Sequence, residues 1–207
     1  MKIHTFPLGE MQANCYMLVH DEKCLLIDPA DSADFILEKI QIQHLELVGI
    51  LATHGHFDHI MAAGEIQLSY PHLSLHIHKK DEFLLSRVAE TAEHFLGHNP
   101  LVMPIRLKAA LMPGPFSIGP FIFDVIHTPG HTPGSCCLHF KEQNILFTGD
   151  TLFQGGIGRS DFSYSDKDEL KSSLEKILKL PGETIIYPGQ GGESSIEDEQ
   201  EVLTTFF

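Results

Sequence analysis

His54, His56, Asp58 and His59 stand within six residues, in the stretch Thr53-His54-Gly55-His56-Phe57-Asp58-His59. Imidazole and carboxylate groups at this density suit a divalent transition metal better than calcium or magnesium, with zinc first and iron or manganese as alternatives. Taken alone, the stretch could also be a polar loop rich in histidine. Two further residues weigh against that. His131 lies in a loop punctuated by Pro129, Gly130, Pro133 and Gly134, and Asp150 follows Thr148-Gly149. Each alone is a common turn residue. Together they supply His54, His56 and His131 for one ion. Asp58, His59 and Asp150 remain for a second, with Asp150 able to bridge.

Each cluster follows an apolar run of strand character: 47–52 before the first, 121–126 before the second, and 144–147 before Asp150. Ligands collect at the carboxyl ends of strands in open α/β sheets, so the three clusters are placed to converge. Around them the pattern predicts an edge strand over 2–8 and a hairpin of 14–19 with 23–28. It predicts helices over 33–42 with Ser32 as N-cap, from near His59 to about Tyr70, and from Asp81 through Val88. A short strand is expected over 75–78. Residues 92–120, rich in proline and glycine with apolar residues between, could form an apolar flap beside the site or a meandering strand pair. Asp166 is expected to cap a helix over 167–180, followed by a last strand over 183–187. Ser194 or Ser195 is expected to start a terminal acidic helix. The order of strands and helices repeats, which suggests two β-rich halves, each with helices on one outer face, within a single domain spanning 1–207.

Composition narrows the setting. The chain has 207 residues, 43% hydrophobic and 20% charged, as expected of a globular protein with a substantial core. A net charge of −14 disfavours a nucleic-acid partner. No stretch approaches the ~20 apolar residues of a membrane span, and the first residues lack the features of a signal peptide, so a cytoplasmic location is expected. Cys15, Cys24, Cys136 and Cys137 show no zinc-ribbon or redox spacing and are read as buried free thiols.

The set His54-x-His56-x-Asp58-His59, Thr128-Pro129-Gly130-His131-Thr132-Pro133-Gly134-Ser135 and Thr148-Gly149-Asp150-Thr151-Leu152-Phe153 resembles the metallo-β-lactamase superfamily. The stretch Gly155-Gly156-Ile157-Gly158-Arg159-Ser160-Asp161-Phe162 is similar to its glyoxalase II-like hydrolases, in their short bacterial form. The resemblance covers nearly the whole chain. It implies an α/β fold, a four-layer αββα sandwich, with the site along one edge. It also implies a hydrolase in which a metal-bound hydroxide attacks a thioester such as S-lactoylglutathione, with Asp58 holding that hydroxide. A thiolate leaves readily, its conjugate acid having a pKa of about 8.5, so such a substrate asks little of a second metal.

One position departs from the pattern. Where the family carries a last metal-binding His in a Pro-Gly-His-Gly turn, this chain has Pro188-Gly189-Gln190-Gly191. Gln190 offers a neutral amide, a poorer zinc ligand than imidazole, as a weak fourth donor or a partner of the ligands. The second ion position is therefore expected to be weakened. Two other readings follow from that. One is a mononuclear iron persulfide dioxygenase using His54, His131 and Asp150. The other is a non-catalytic metal-binding module. Arg159 and Asp161 are expected to lock the loop after Asp150; Asp28 either orients a ligand histidine or, standing before Pro29, forms an ordinary turn. His76 and His78, lacking a third ligand nearby, are read as surface or core histidines.

Overall fold

The computed structural model describes residues 1–107 and 110–207. Alternation of side chains along the strands decides the layering. The first sheet orders β1 (Lys2–Leu8), β2 (Ala13–His20), β3 (Lys23–Ile27), β4 (Glu46–Leu51) and β5 (Leu75–His76) side by side. β1–β2 and β2–β3 are antiparallel, while β3–β4 and β4–β5 are parallel. Tyr16, Leu18, Leu25, Ile27 and Leu51 face one side of it; Cys15, Met17, Cys24, Leu26 and Ile50 face the other. A sheet apolar on both faces has to be covered on both.

The second sheet provides one cover. It orders β6 (Gly114–Ile118), β7 (Phe121–His127), β8 (Cys136–Phe140) and β9 (Ile145–Gly149), joined on the far side by later strands. After the small ribbon β10 (Leu152–Phe153) and β11 (Gly156–Ile157), β12 (Ile185–Pro188) pairs parallel with β9, and β13 (Ser194–Ser195) closes the edge. Phe121, Phe123, Val125, Leu138, Phe140 and Phe147 pack against the Tyr16–Leu51 face. The other cover of the first sheet is helical: α1 (Ala33–Ile42), α2 (Phe57–Ile60), α3 (Ala63–Ser69), α4 (Glu82–Leu85) and α5 (Val88–Leu96). On the second sheet's outer face, α6 (Lys167–Ile177) buries Leu170, Leu174 and Ile177 at helical spacing, with α7 (Val202–Phe206) beside it. The result is the expected αββα sandwich.

Several local expectations are corrected. The helix expected from His59 to Tyr70 is two, because the amide of Ala62 donates to Pro29 O instead of continuing the first turn. Ser32 stands at the start of α1 with φ 55° and makes no side-chain cap. Asp166 does cap α6, accepting from the amides of Asp168 and Glu169 at 2.9 Å each. Ser194 and Ser195 form an edge strand and start no helix. Their hydroxyls donate to Glu199 and Asp198, which turns those acidic side chains back onto the strand. Within 92–120, the first residues complete α5 and Phe95 reaches the site, while 114–118 is a strand; positions 108 and 109 of that stretch lie outside the described residues. All four cysteines are buried free thiols, and burial pushes each of them up from the ordinary thiol value.

Candidate metal centre

The polar residues gather where strands of both sheets end. β4 runs out into His54, His56, Asp58 and His59, β7 into His131, β9 into Asp150, and β12 into Gln190. Donor atoms of His54, His56 and His131 all lie within 4.8 Å of one another. The far nitrogen of each ring is anchored. His54 Nδ1 lies 3.1 Å from Thr53 Oγ1, whose hydroxyl donates to Asp28 Oδ2 at 2.7 Å. His131 Nδ1 donates to Arg159 O at 2.8 Å, and His56 Nε2 lies 2.8 Å from the Tyr164 hydroxyl. That leaves His54 Nε2, His56 Nδ1 and His131 Nε2 turned toward a common point, with His56 Nδ1 and His131 Nε2 3.0 Å apart. Anchoring the second nitrogen fixes tautomer and ring direction, as metal-ligating histidines require.

Asp150 faces both ways. Its Oδ2 is 3.6 Å from His131 Nε2 and its Oδ1 3.3 Å from His59 Nε2, which is also 3.7 Å from Asp58 Oδ2. His59 is turned by Asp28, whose Oδ2 is 3.1 Å from His59 Nδ1. Asp28, His54 and His59 also fall within 4.8 Å of one another, but Asp28 is committed to Thr53 and His59 and serves as the orienting carboxylate. Gln190 Nε2 donates to Asp58 Oδ2 at 3.3 Å.

Electrostatics follow from this crowding. Burial and neighbouring imidazoles hold His54 well below the ordinary imidazole value and His56 at about 3. For His59, burial acts in the same direction but is outweighed by Asp150 and Asp58, so its pKa is raised. For Asp150, burial acts upward, yet His59 and the other imidazoles carry the carboxyl down to about 2. Burial raises Asp58. His54 Nε2, His59 Nε2 and Asp150 Oδ1 are buried without a hydrogen-bond partner, an arrangement that is costly unless a ligand completes it. Lone pairs of nitrogen and oxygen turned inward together fit a divalent cation.

The family profile of the metallo-β-lactamase superfamily matches residues 8–189. The chain belongs to the metallo-β-lactamase superfamily. It is 35% identical over 209 residues to the hydroxyacylglutathione hydrolase GloC of Haemophilus influenzae, covering 97% of this chain and 95% of that one. The crystal structure of the BLEG-1 B3 metallo-β-lactamase superposes with a TM-score of 0.90 at 32% identity, over 97% of each chain. TTHA1623 in a di-iron-bound form superposes with a TM-score of 0.87, also at 32% identity, covering 95% of this chain and 96% of that one. Relatives of the chain in this superfamily are named as metal-dependent hydrolases, among them the probable metallo-hydrolase YqgX of Bacillus subtilis, 34% identical over 97% of this chain and 95% of that one.

In this superfamily member the candidate metal centre opens into a cavity of about 200 Å³. His56, Asp58, His131, Asp150 and Gln190 form its floor, and Met11, Leu84, Phe95, Phe153, Phe162 and Tyr164 supply most of its wall. Arg159 and Asp161 pair with each other at the surface through two bonds of 2.9 Å. The Arg159 guanidinium nonetheless lies over the Phe162 ring at 4.6 Å and borders the cavity, a position not foreseen. His78 stacks on His127 with centroids 4.3 Å apart and His76 packs on Phe116, so neither belongs to the centre.

Three supporting residues went unread. Asp81, expected only as the start of a helix, makes no side-chain cap there. Its buried carboxylate accepts from the amides of Gly55 (2.9 Å) and Gly134 (2.6 Å) and from Thr132 Oγ1 (2.6 Å), tying the two histidine loops together. Buried Asn14 binds the turn that carries Gln190, its Nδ2 donating to Pro188 O and Gly191 O at 3.0 Å and its backbone N to Gly189 O at 2.8 Å. Tyr164 holds His56. The glycines at 55 and 134 were a partial signal for Asp81: a Cβ at Gly134 would come within 2.6 Å of its carboxylate.

Proposed function

We propose that this chain is a thioester hydrolase whose metal is held by His54, His56 and His131 with Asp150. The observation that carries the reading is the convergence of His54, His56, His131 and Asp150 beside an apolar cavity, with His54 Nε2 and Asp150 Oδ1 buried without a hydrogen-bond partner. Zinc is the ion proposed; the di-iron form of TTHA1623 makes iron the first alternative to test, before manganese. Such an ion supplies a Lewis acid that polarises a carbonyl and brings a water's pKa toward neutrality.

The chain's own residues do the rest. The Asp58 carboxylate, at the cavity floor, accepts a hydrogen bond from the attacking water and orients it toward the acyl carbon. Phe95, Phe162 and Tyr164 hold the apolar part of the substrate and exclude bulk water. A thiolate leaves without a strong general acid, since its conjugate acid has a pKa of about 8.5. S-lactoylglutathione is the first substrate to try, supported by the name of the Haemophilus relative.

Assay of the purified protein against S-lactoylglutathione, a β-lactam and a phosphodiester tests the proposal. Turnover of the thioester, abolished by chelation and restored by added metal, is expected to exceed the other two. Comparable phosphodiester turnover would remove the basis for the reading. Oxygen consumption on glutathione persulfide by iron-loaded protein would replace it with a dioxygenase, and absence of turnover on all four would leave a metal-binding module.

A further inference from the structure

The two sides of the centre are not built alike. Around His54, His56 and His131, three imidazole nitrogens face inward, and Asp150 Oδ2 lies 3.6 Å from one of them. Around His59 there is one imidazole with two carboxylates, and the remaining corner is occupied by Gln190. Its amide hydrogen is directed at Asp58 Oδ2, at 3.3 Å. That N–H competes with an ion for one of the lone pairs of Asp58 Oδ2. Turned over, the same amide would offer only a neutral carbonyl oxygen, a weaker donor to zinc than imidazole.

Gln190 cannot easily withdraw from this role. Asn14 fastens its turn on both sides through Pro188 O, Gly189 O and Gly191 O. The amide of Gly189 donates to Gly149 O at 2.8 Å, and a Cβ at Gly189 would come within 2.7 Å of the His59 ring. The backbone is pressed against the His59–Asp150 corner, so the side chain at 190 is presented to that corner by the fold.

We propose that Gln190 makes the centre unequal: the His54–His56–His131 side retains its ion, while the Asp58–His59–Asp150 side takes one only reversibly. The inference rests on the metal-centre reading above but concerns ion retention alone.

The test counts ions. The full chain, saturated with zinc and passed through gel filtration in metal-free buffer, is expected to keep about one zinc per chain by elemental analysis. Gln190→His restores an imidazole donor and is expected to keep about two. Gln190→Glu, which cannot donate to Asp58 and adds an anionic oxygen, is the second variant should Gln190→His fail to fold; it too is expected to keep more than the parent. Two retained zinc ions in the unaltered chain would overturn the proposal. So would an unchanged count in both variants. Thioester turnover is measured separately: its absence alongside the one-to-two change would overturn the functional reading and leave this one standing.

Discussion

Replacing Asp81 by Asn keeps the shape of the side chain and changes one acceptor into a donor. In the structure, Oδ1 accepts from Gly134 N while Oδ2 accepts from Gly55 N and Thr132 Oγ1. An asparagine can place its NH2 at either position. At the first it confronts the Gly134 amide; at the second it confronts the Gly55 amide, while Thr132 adapts by donating to Ser135 Oγ, 2.7 Å away. Either way one buried N–H is left without an acceptor, which costs about 1–3 kcal/mol. The surviving bonds lose their charge assistance, about another 1 kcal/mol. Some of this is offset because the charged carboxylate was itself unfavourable there, its pKa being raised by burial against the pull of its three donors. A net loss of about 2–3 kcal/mol should lower the melting temperature by about 4–12 °C in a chain of this size. Because the broken contact spans the loops carrying His54, His56 and His131, metal affinity should fall about 10- to 100-fold. Calorimetric melting and competition with a chromophoric chelator read both quantities. A melting shift below about 2 °C with unchanged affinity would refute the argument that one carboxylate holds the two loops in register.

Three further outcomes follow from the same geometry. Tyr164→Phe removes the hydroxyl beside His56 Nε2 and should weaken metal retention about 10-fold with little loss of stability, so chelator competition that matches the parent would sink it. Gly130→Ala forces a side chain at φ 131° into the backbone of Leu170 in α6. It should cost about 2–5 kcal/mol by chemical denaturation, against about 1 kcal/mol for Gly155→Ala, whose Cβ meets nothing within 4 Å; equal losses would contradict the packing argument. Acid should destabilise the metal-free protein early. His54 and His56 have lowered pKa values, so below about pH 6.5 the unfolded chain binds protons at these positions that the folded chain does not, and stability falls as pH drops toward His56's value of about 3. His59, raised instead, is protonated in both states there and gives no offset. Each imidazole contributes up to about 1.4 kcal/mol per pH unit, and melting temperatures that stay level from pH 7 to 4.5 would exclude it.

What the sequence disclosed and what it withheld divide along a physical line. The donors were legible because His54, His56, Asp58 and His59 are adjacent, and because the runs before His131 and Asp150 read as strands that must end there. The layering was legible in part, since period-two alternation announces two-faced sheets without saying which sheet covers which. Asp81 and Asn14 were not legible. Asp81 meets Gly134 across 53 positions and Asn14 meets Gly191 across 177, contacts that exist only once the two sheets have packed. Locally, Asp81 is an unremarkable acidic residue before a short helix. The serines at 194 and 195 misled for the same reason. Their side chains suit a helix cap, but pairing with β12 was the stronger claim on their backbone.

The centre belongs to neither sheet, and that accounts for where its supports lie. His54, His56, Asp58 and His59 extend from a strand of the first sheet, and His131, Asp150 and Gln190 from strands of the second. The angle between these groups is therefore set by how the sheets meet. The links that cross the seam cluster around the donors. Cys136 N donates to Thr53 O at 2.8 Å, Asn14 N to Gly189 O at 2.8 Å, and Asp81 reaches Gly134. At Gly149 the second sheet approaches Thr53 so closely that a Cβ would overlap its side chain. A substitution anywhere along this seam moves the histidines of one sheet against the carboxylate of the other. Substitutions on the outer helices, α1 or α6, load mainly their own sheet. On this argument position 190 matters beyond its own amide. Gln190 already crosses the seam to Asp58, and an imidazole introduced there would exchange that hydrogen bond for a ligand reaching the same seam.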